Sequence, residues 1–115
     1  MYRLKFTFTR LPDIIFCMEI IRIVKMHFKR EHIPAFLAHF EEKKEAIRSA
    51  AGCTSLHLLQ DTTDPGIIFT YSIWTAATYL EEYRQSELFG TTWSYVRTLF
   101  SQKAEAWSLN TLHRS

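Results

Sequence analysis

Cysteine is almost missing from this 115-residue chain. Cys17 and Cys53 are its only two, far apart, so neither a disulfide framework nor a cysteine-based zinc site can be built. A reducing setting, the cytoplasm, is the expected location. Charge of one sign is equally scarce: 14 Lys and Arg against 12 Asp and Glu leave a formal charge of +2. That is too little, and too scattered, for the basic stripe that neutralises nucleic-acid phosphates. No stretch approaches the roughly 20 apolar residues of a membrane span. With three glycines there is no Gly-rich phosphate loop and no G-x-S-x-G elbow, which leaves nucleotide enzymes and hydrolases unsupported. The five histidines form no H-E-x-x-H motif and share no helix face at metal-ligand spacing. No metal, flavin or other cofactor is expected.

What is present is an ordinary globular composition, 47% apolar and 23% charged, in a length suited to one core. In the first 18 residues, Pro12 and Asp13 interrupt an apolar stretch and argue against an export signal. Tyr2, Leu4, Phe6 and Phe8 alternate with Arg3, Lys5, Thr7 and Thr9, the period of a half-buried strand. Two readings stand: residues 1–18 add a strand, or they form an extension upstream of a domain spanning 19–115.

Residues 19–28 are β-branched and apolar on both parities and predict a strand covered on both faces. From 31 to 50, Ile33, Phe36, Leu37, Phe40 and Ile47 recur at helical spacing, with Pro34 in the first turn and Gly52 past the end. Residues 54–61 and 67–74 read as two strands of a hairpin, turned by Pro65 and Gly66, since proline presets one turn dihedral and glycine permits positive φ. Thr75 is placed to cap a helix bearing Tyr79, Leu80 and Tyr83, and Ser86 one bearing Phe89, Trp93, Val96 and Phe100. Residues 104–112 supply a last strand. The order β-α-β-β-α-β, with a helical pair in the second crossover, predicts an α+β, ferredoxin-like sandwich with one antiparallel sheet.

Helices in that plan cover one sheet face. Phe69, Tyr71 and Ile73 nevertheless oppose Ile68 and Trp74 on the third strand, so a second apolar face needs a cover. A homodimer packed sheet to sheet is the simplest one.

The run Phe69-Thr70-Tyr71-Ser72-Ile73-Trp74, the run Tyr83-Arg84-Gln85-Ser86-Glu87-Leu88-Phe89 followed by Trp93, and Ala51-Gly52-Cys53 resemble the antibiotic biosynthesis monooxygenase (ABM) domain family. The likeness spans about residues 18–109. It implies a dimeric α+β barrel and a cofactor-independent monooxygenase acting on a small aromatic or quinol. Two alternatives accompany it: a non-catalytic barrel that binds a small hydrophobic ligand, and a haem-binding or haem-degrading relative. Against the haem reading, Trp93 stands where those relatives carry the ligating histidine, and Val24 and its neighbours offer no asparagine. An indole donor cannot ligate iron.

In the oxygenase reading the deprotonated substrate itself reduces dioxygen, and the protein supplies a dry aromatic pocket, a base and a stabiliser for the anion. Trp74, Tyr83 and Trp93 are the candidate pocket walls. His27 or His57 is the candidate base, provided its strand parity points to the helix side, and Arg22 the candidate anion stabiliser. Core packing is the competing reading for each aromatic, and an interface or core position for each histidine.

Overall fold

The structure, a computed structural model, describes residues 18–115; the alternating run 2–9 and the question of how residues 1–17 contribute lie outside them. Strand β1 (Ile20–Phe28) leads through a single 3-10 turn into helix α1 (Ile33–Arg48). Strands β2 (Cys53–Gln60) and β3 (Ile67–Trp74) form the hairpin. Helices α2 (Ala77–Arg84) and α3 (Glu87–Val96) follow, then strand β4 (Phe100–Leu109). The sheet order is β2-β3-β1-β4, with every neighbouring pair antiparallel. This is the ferredoxin-like α+β fold. Among the described residues no helix is long and apolar enough to cross a membrane.

Strand register decides the division of faces. Met26 pairs with Ile68, Val24 with Thr70 and Arg22 with Ser72; Leu56 pairs with Ser72. Because directly opposed residues share a face, these all point to the helices. Met26, Phe28, Phe36, Ile68, Val96 and Leu99 form one buried cluster there, and Cys53, Trp74 and Leu80 a second. Each fully buried large side chain contributes roughly 1.5–3 kcal/mol. The alternate parity, Ile21, Ile23, Phe69, Tyr71 and Ile73, occupies the other face, which no helix of the described chain covers. Leu59, Trp107 and Leu109 lie exposed there or at its edges, each more than two-fifths accessible.

Local chemistry explains the joints. The hairpin turn is organised by Asp61, whose carboxylate accepts from the amides of Thr63 and Asp64 and from the Thr63 hydroxyl. Those donors hold its pKa below the usual carboxylate range. Ser86 caps α3 as expected, its Oγ accepting from Phe89 N at 3.1 Å. Thr75 does not cap α2. Its amide donates to Gly52 O at 2.8 Å, and the chain stays extended through Ala76, which is the N-cap and lends no side-chain bond. The last helix also stops earlier than its apolar spacing suggests. Phe100 leaves it to pair with Phe28 in the sheet, their rings 5.3 Å apart, so β4 begins at Phe100 rather than at 104.

Gly52 sits at φ +84°, a left-handed conformation that disfavours a Cβ, and a methyl group there would overlap the Tyr79 ring. Gly52→Ala is therefore expected to cost about 2 kcal/mol from backbone and overlap together. Chemical denaturation would check this; an unchanged midpoint would show that the loop shifts freely.

Candidate functional site

Between the sheet and the helices lies a cavity of about 350 Å3. Strands β1, β3 and β4 give it a floor that includes Arg22, Val24, Thr70, Ser72 and Ala106; α1, α2 and α3 roof it with Phe40, Leu80, Tyr83, Phe89 and Trp93. It survives because facing positions on the floor are small. Val24 pairs with Thr70 and Ala106, and Arg22 with Ser72 and Ser108. The short side chains of Val24, Thr70, Ser72 and Ala106 leave space below the helices, which Arg22 enters from one edge.

The aromatic wall is continuous. Trp74 stacks on Tyr83 with ring centroids 5.1 Å apart. Tyr83 meets Phe89 edge-on at 5.3 Å, and Phe89 stacks on Trp93 at 5.9 Å. Trp74 is 1% exposed, and its indole N–H donates to Ser72 Oγ at 2.9 Å. Core residue and pocket wall, the two duties weighed for Trp74, are thus held by the same ring: one part packs on Cys53 and Leu80 while another borders the cavity.

Polar groups are few. Arg22 Nη1 donates to Ser108 Oγ at 2.9 Å. Burial, and then the neighbouring Arg84, lower the pKa of its guanidinium, while Glu81 acts in the opposite sense. Arg84 in turn pairs with Glu81 at 3.2 Å. Burial, with the Cys53 thiol adding to it, pushes the Tyr83 phenol up to about 12, so it stays protonated at neutral pH. The same desolvation raises the Cys53 thiol. Thr92 Oγ1 is buried without a partner among the described residues and borders the cavity.

Of the six residues singled out in the sequence, Arg22, Trp74, Tyr83 and Trp93 line this one cavity. His27 and His57 do not. His27 lies between Met26 and Phe28, whose side chains are buried toward the helices, and so points the other way. His57 pairs with Tyr71, and their rings lie 5.9 Å apart on the outer face. The expected base is therefore corrected: strand alternation turns both imidazoles away from this cavity. His27 Nε2 instead lies 3.8 Å from Glu105 Oε1. Arg84 and Thr92 are the cavity groups not anticipated; Thr92 falls on the helical stripe set by Phe89, Trp93 and Val96, which was the available signal. Among the described residues no three His, Cys, Asp or Glu side chains gather as a metal site would require.

Comparison with known proteins places this arrangement. The family model described as antibiotic biosynthesis monooxygenase matches residues 19–93, while no curated protein sequence matches the chain. Among solved structures, a conserved protein from Methanosarcina mazei is 16% identical and superposes with a TM-score of 0.78, covering 85% of this chain and 97% of that one. An antibiotic biosynthesis monooxygenase is 20% identical at a TM-score of 0.76, over 82% of this chain and 99% of its own. PA3566 from Pseudomonas aeruginosa is likewise 20% identical, at a TM-score of 0.73 over 85% and 98% of the two chains. At such identities the likeness is one of fold.

Proposed function

The chain belongs to the antibiotic biosynthesis monooxygenase family, and from that premise we propose that it is a cofactor-independent oxygenase of a small aromatic or quinol, acting as a homodimer. The observation that carries the reading is the aromatic cavity with a guanidinium at its edge. Its volume of about 350 Å3 falls within the roughly 300–1,000 Å3 of small-molecule sites. The walls of Trp74, Tyr83, Phe89 and Trp93 suit a flat, fused ring, which gains by stacking and edge contacts.

Chemistry in such a pocket needs little from the protein. For an anthrone, the enol tautomer gives its hydroxyl proton to solvent water, leaving a delocalised anion whose charge is shared by the oxygen and the ring carbon that was CH2. One electron passes to dioxygen and the two radicals combine, forming a carbon–oxygen bond and, after protonation, a hydroperoxide. Its O–O bond breaks as the same carbon loses its second hydrogen, releasing water and leaving a carbonyl. One oxygen atom enters the product and one enters water; the four electrons come from the substrate carbon. Arg22 holds the anionic oxygen, a charge-assisted contact strengthened by the low local dielectric. The aromatic walls exclude water from the radical pair.

The test is oxygen consumption with anthrones and dihydroxynaphthalenes, without added cofactor, followed by mass analysis of product formed under 18O2. Uptake faster than the spontaneous oxidation, with one labelled atom per anthraquinone, is expected. Binding of the panel without faster uptake would instead favour a ligand-binding barrel.

A further inference from the structure

The cavity holds cations and hydroxyls where a proton acceptor would be needed. Among the described residues no imidazole or carboxylate is directed into it. Glu105 borders it, but it pairs across the strands with Lys25, and its carboxylate faces His27 on the other side of the sheet. Glu81, near the mouth, has one carboxylate oxygen on Arg84 and the other on Gln85 Nε2 at 2.8 Å. Tyr83 is a protonated phenol at any ordinary pH, and the Cys53 thiol, raised by burial, donates toward Ser55 O at 3.6 Å.

Arg22, by contrast, is a half-buried cation whose hydrogen-bond partner among the described residues is the neutral Ser108 hydroxyl. The Glu81 charge is taken up by Arg84, and of those two groups Arg84 has the larger effect on Arg22. A partly desolvated guanidinium with a cation as its dominant charged neighbour is stabilised by an anion placed against it. Thr92 Oγ1, buried and unpartnered, adds a second hydrogen-bonding point in the same cavity.

From this composition of the cavity we infer that the substrate enters already ionised, as an aromatic whose hydroxyl has lost its proton in solution, with its negative oxygen on Arg22 and its ring against Trp74, Tyr83 and Trp93. The inference rests on the oxygenase reading for the word substrate, and on the cavity alone for the charge and class of ligand. The protein then acts by selecting the anion rather than by making it. Acidic hydroxyls on a fused ring, such as those of hydroxynaphthoquinone-type compounds, define the class.

Isothermal titration with 2-hydroxy-1,4-naphthoquinone, an anion at neutral pH, against neutral 1,4-naphthoquinone tests it on the unaltered protein. The hydroxylated compound is expected to bind at least about 10-fold more tightly, and to lose that advantage as the pH falls through its own ionisation. Arg22→Gln should lower its affinity on the order of 10- to 100-fold and that of the neutral compound by a much smaller factor, and Arg22→Lys should restore part of the loss. Equal affinities, tighter binding of the neutral compound, or binding of neither would overturn the inference. Failure of the oxygenase reading looks different: tight anion binding without oxygen uptake would remove that reading and keep this one. Uptake whose pH profile has the same inflection for substrates of different acidity would do the reverse, since it would expose a base on the protein.

Discussion

Replacing Trp74 by alanine is expected to lower stability by about 3–5 kcal/mol. The ring is 1% exposed, stacks on Tyr83 and packs on Cys53 and Leu80. Its loss would also leave Ser72 Oγ, buried with its residue at 7% exposure, without its indole donor. Because the side chain already borders a cavity, the space it vacates would merge with that cavity, and the neighbours cannot collapse to fill it. Thermal unfolding would register the change as a drop of roughly 4 °C or more per kcal/mol. Trp74→Phe keeps an aromatic wall and removes the hydrogen bond, so it should cost about 1–2 kcal/mol and retain ligand affinity. A Trp74→Ala variant as stable as the parent would show that this end of the core tolerates a void.

Ile73→Asp carries the second large expectation. The side chain lies on the sheet face opposite the helices, paired with Ile21 and Ser55 and alongside Tyr71 and Phe69. In the proposed homodimer this face meets its copy. The parent should then migrate and scatter light at twice the 13.6 kDa chain mass. A carboxylate forced into that contact without a partner costs several kcal/mol, and about 4 kcal/mol already weakens association on the order of 1,000-fold. At micromolar concentration the variant should therefore run at the mass of one chain while retaining its helical circular dichroism. A parent that scatters as a single chain would defeat the homodimer. Arg22, on the other side of the sheet, is not expected to alter the mass when replaced.

The sequence carried the fold because several local signals agreed. The Ser86 cap and the opposition of Ile68 and Trp74 to Phe69, Tyr71 and Ile73 recur in the structure; the hairpin recurs as well, but Gly66 does not take the positive φ expected of it, which among the described glycines belongs to Gly52. Apolar residues on both parities of β1 predict cover on both faces, and the helices supply it on one. The same feature concealed which parity faced the helices: with Ile21 and Ile23 as apolar as Val24 and Met26, alternation alone could not orient His27. Only the pairing of Met26 with Ile68 and their joint burial decide it. For His57 the signal was better, since Leu56 and Leu58 flank it on the other parity. The start of β4 was hidden by Ser101, Gln102 and Lys103, exposed residues beside a register shift between β1 and β4, which breaks the period of two. For Arg84 and Thr92, spacing gives the helix face and not the role. A hydroxyl or guanidinium next to aromatic residues is ordinary on a helix, and its value depends on a cavity that no periodicity encodes.

The three tryptophans divide the molecule optically. Trp74 and Trp93 border the cavity, whereas Trp107, paired with Ile23 and 42% exposed, belongs to the uncovered face. Emission from Trp107 should be red-shifted and open to quenching by iodide whenever that face meets water, and blue-shifted and shielded when a second copy covers it. Emission from the other two should ignore dilution and respond only to a molecule entering between sheet and helices. Two single-tryptophan proteins, one keeping Trp107 and one keeping Trp93, with phenylalanine at the remaining positions, would thus give separate dyes for assembly and for occupancy. The chain has these reporters built in, on opposite sides of one sheet.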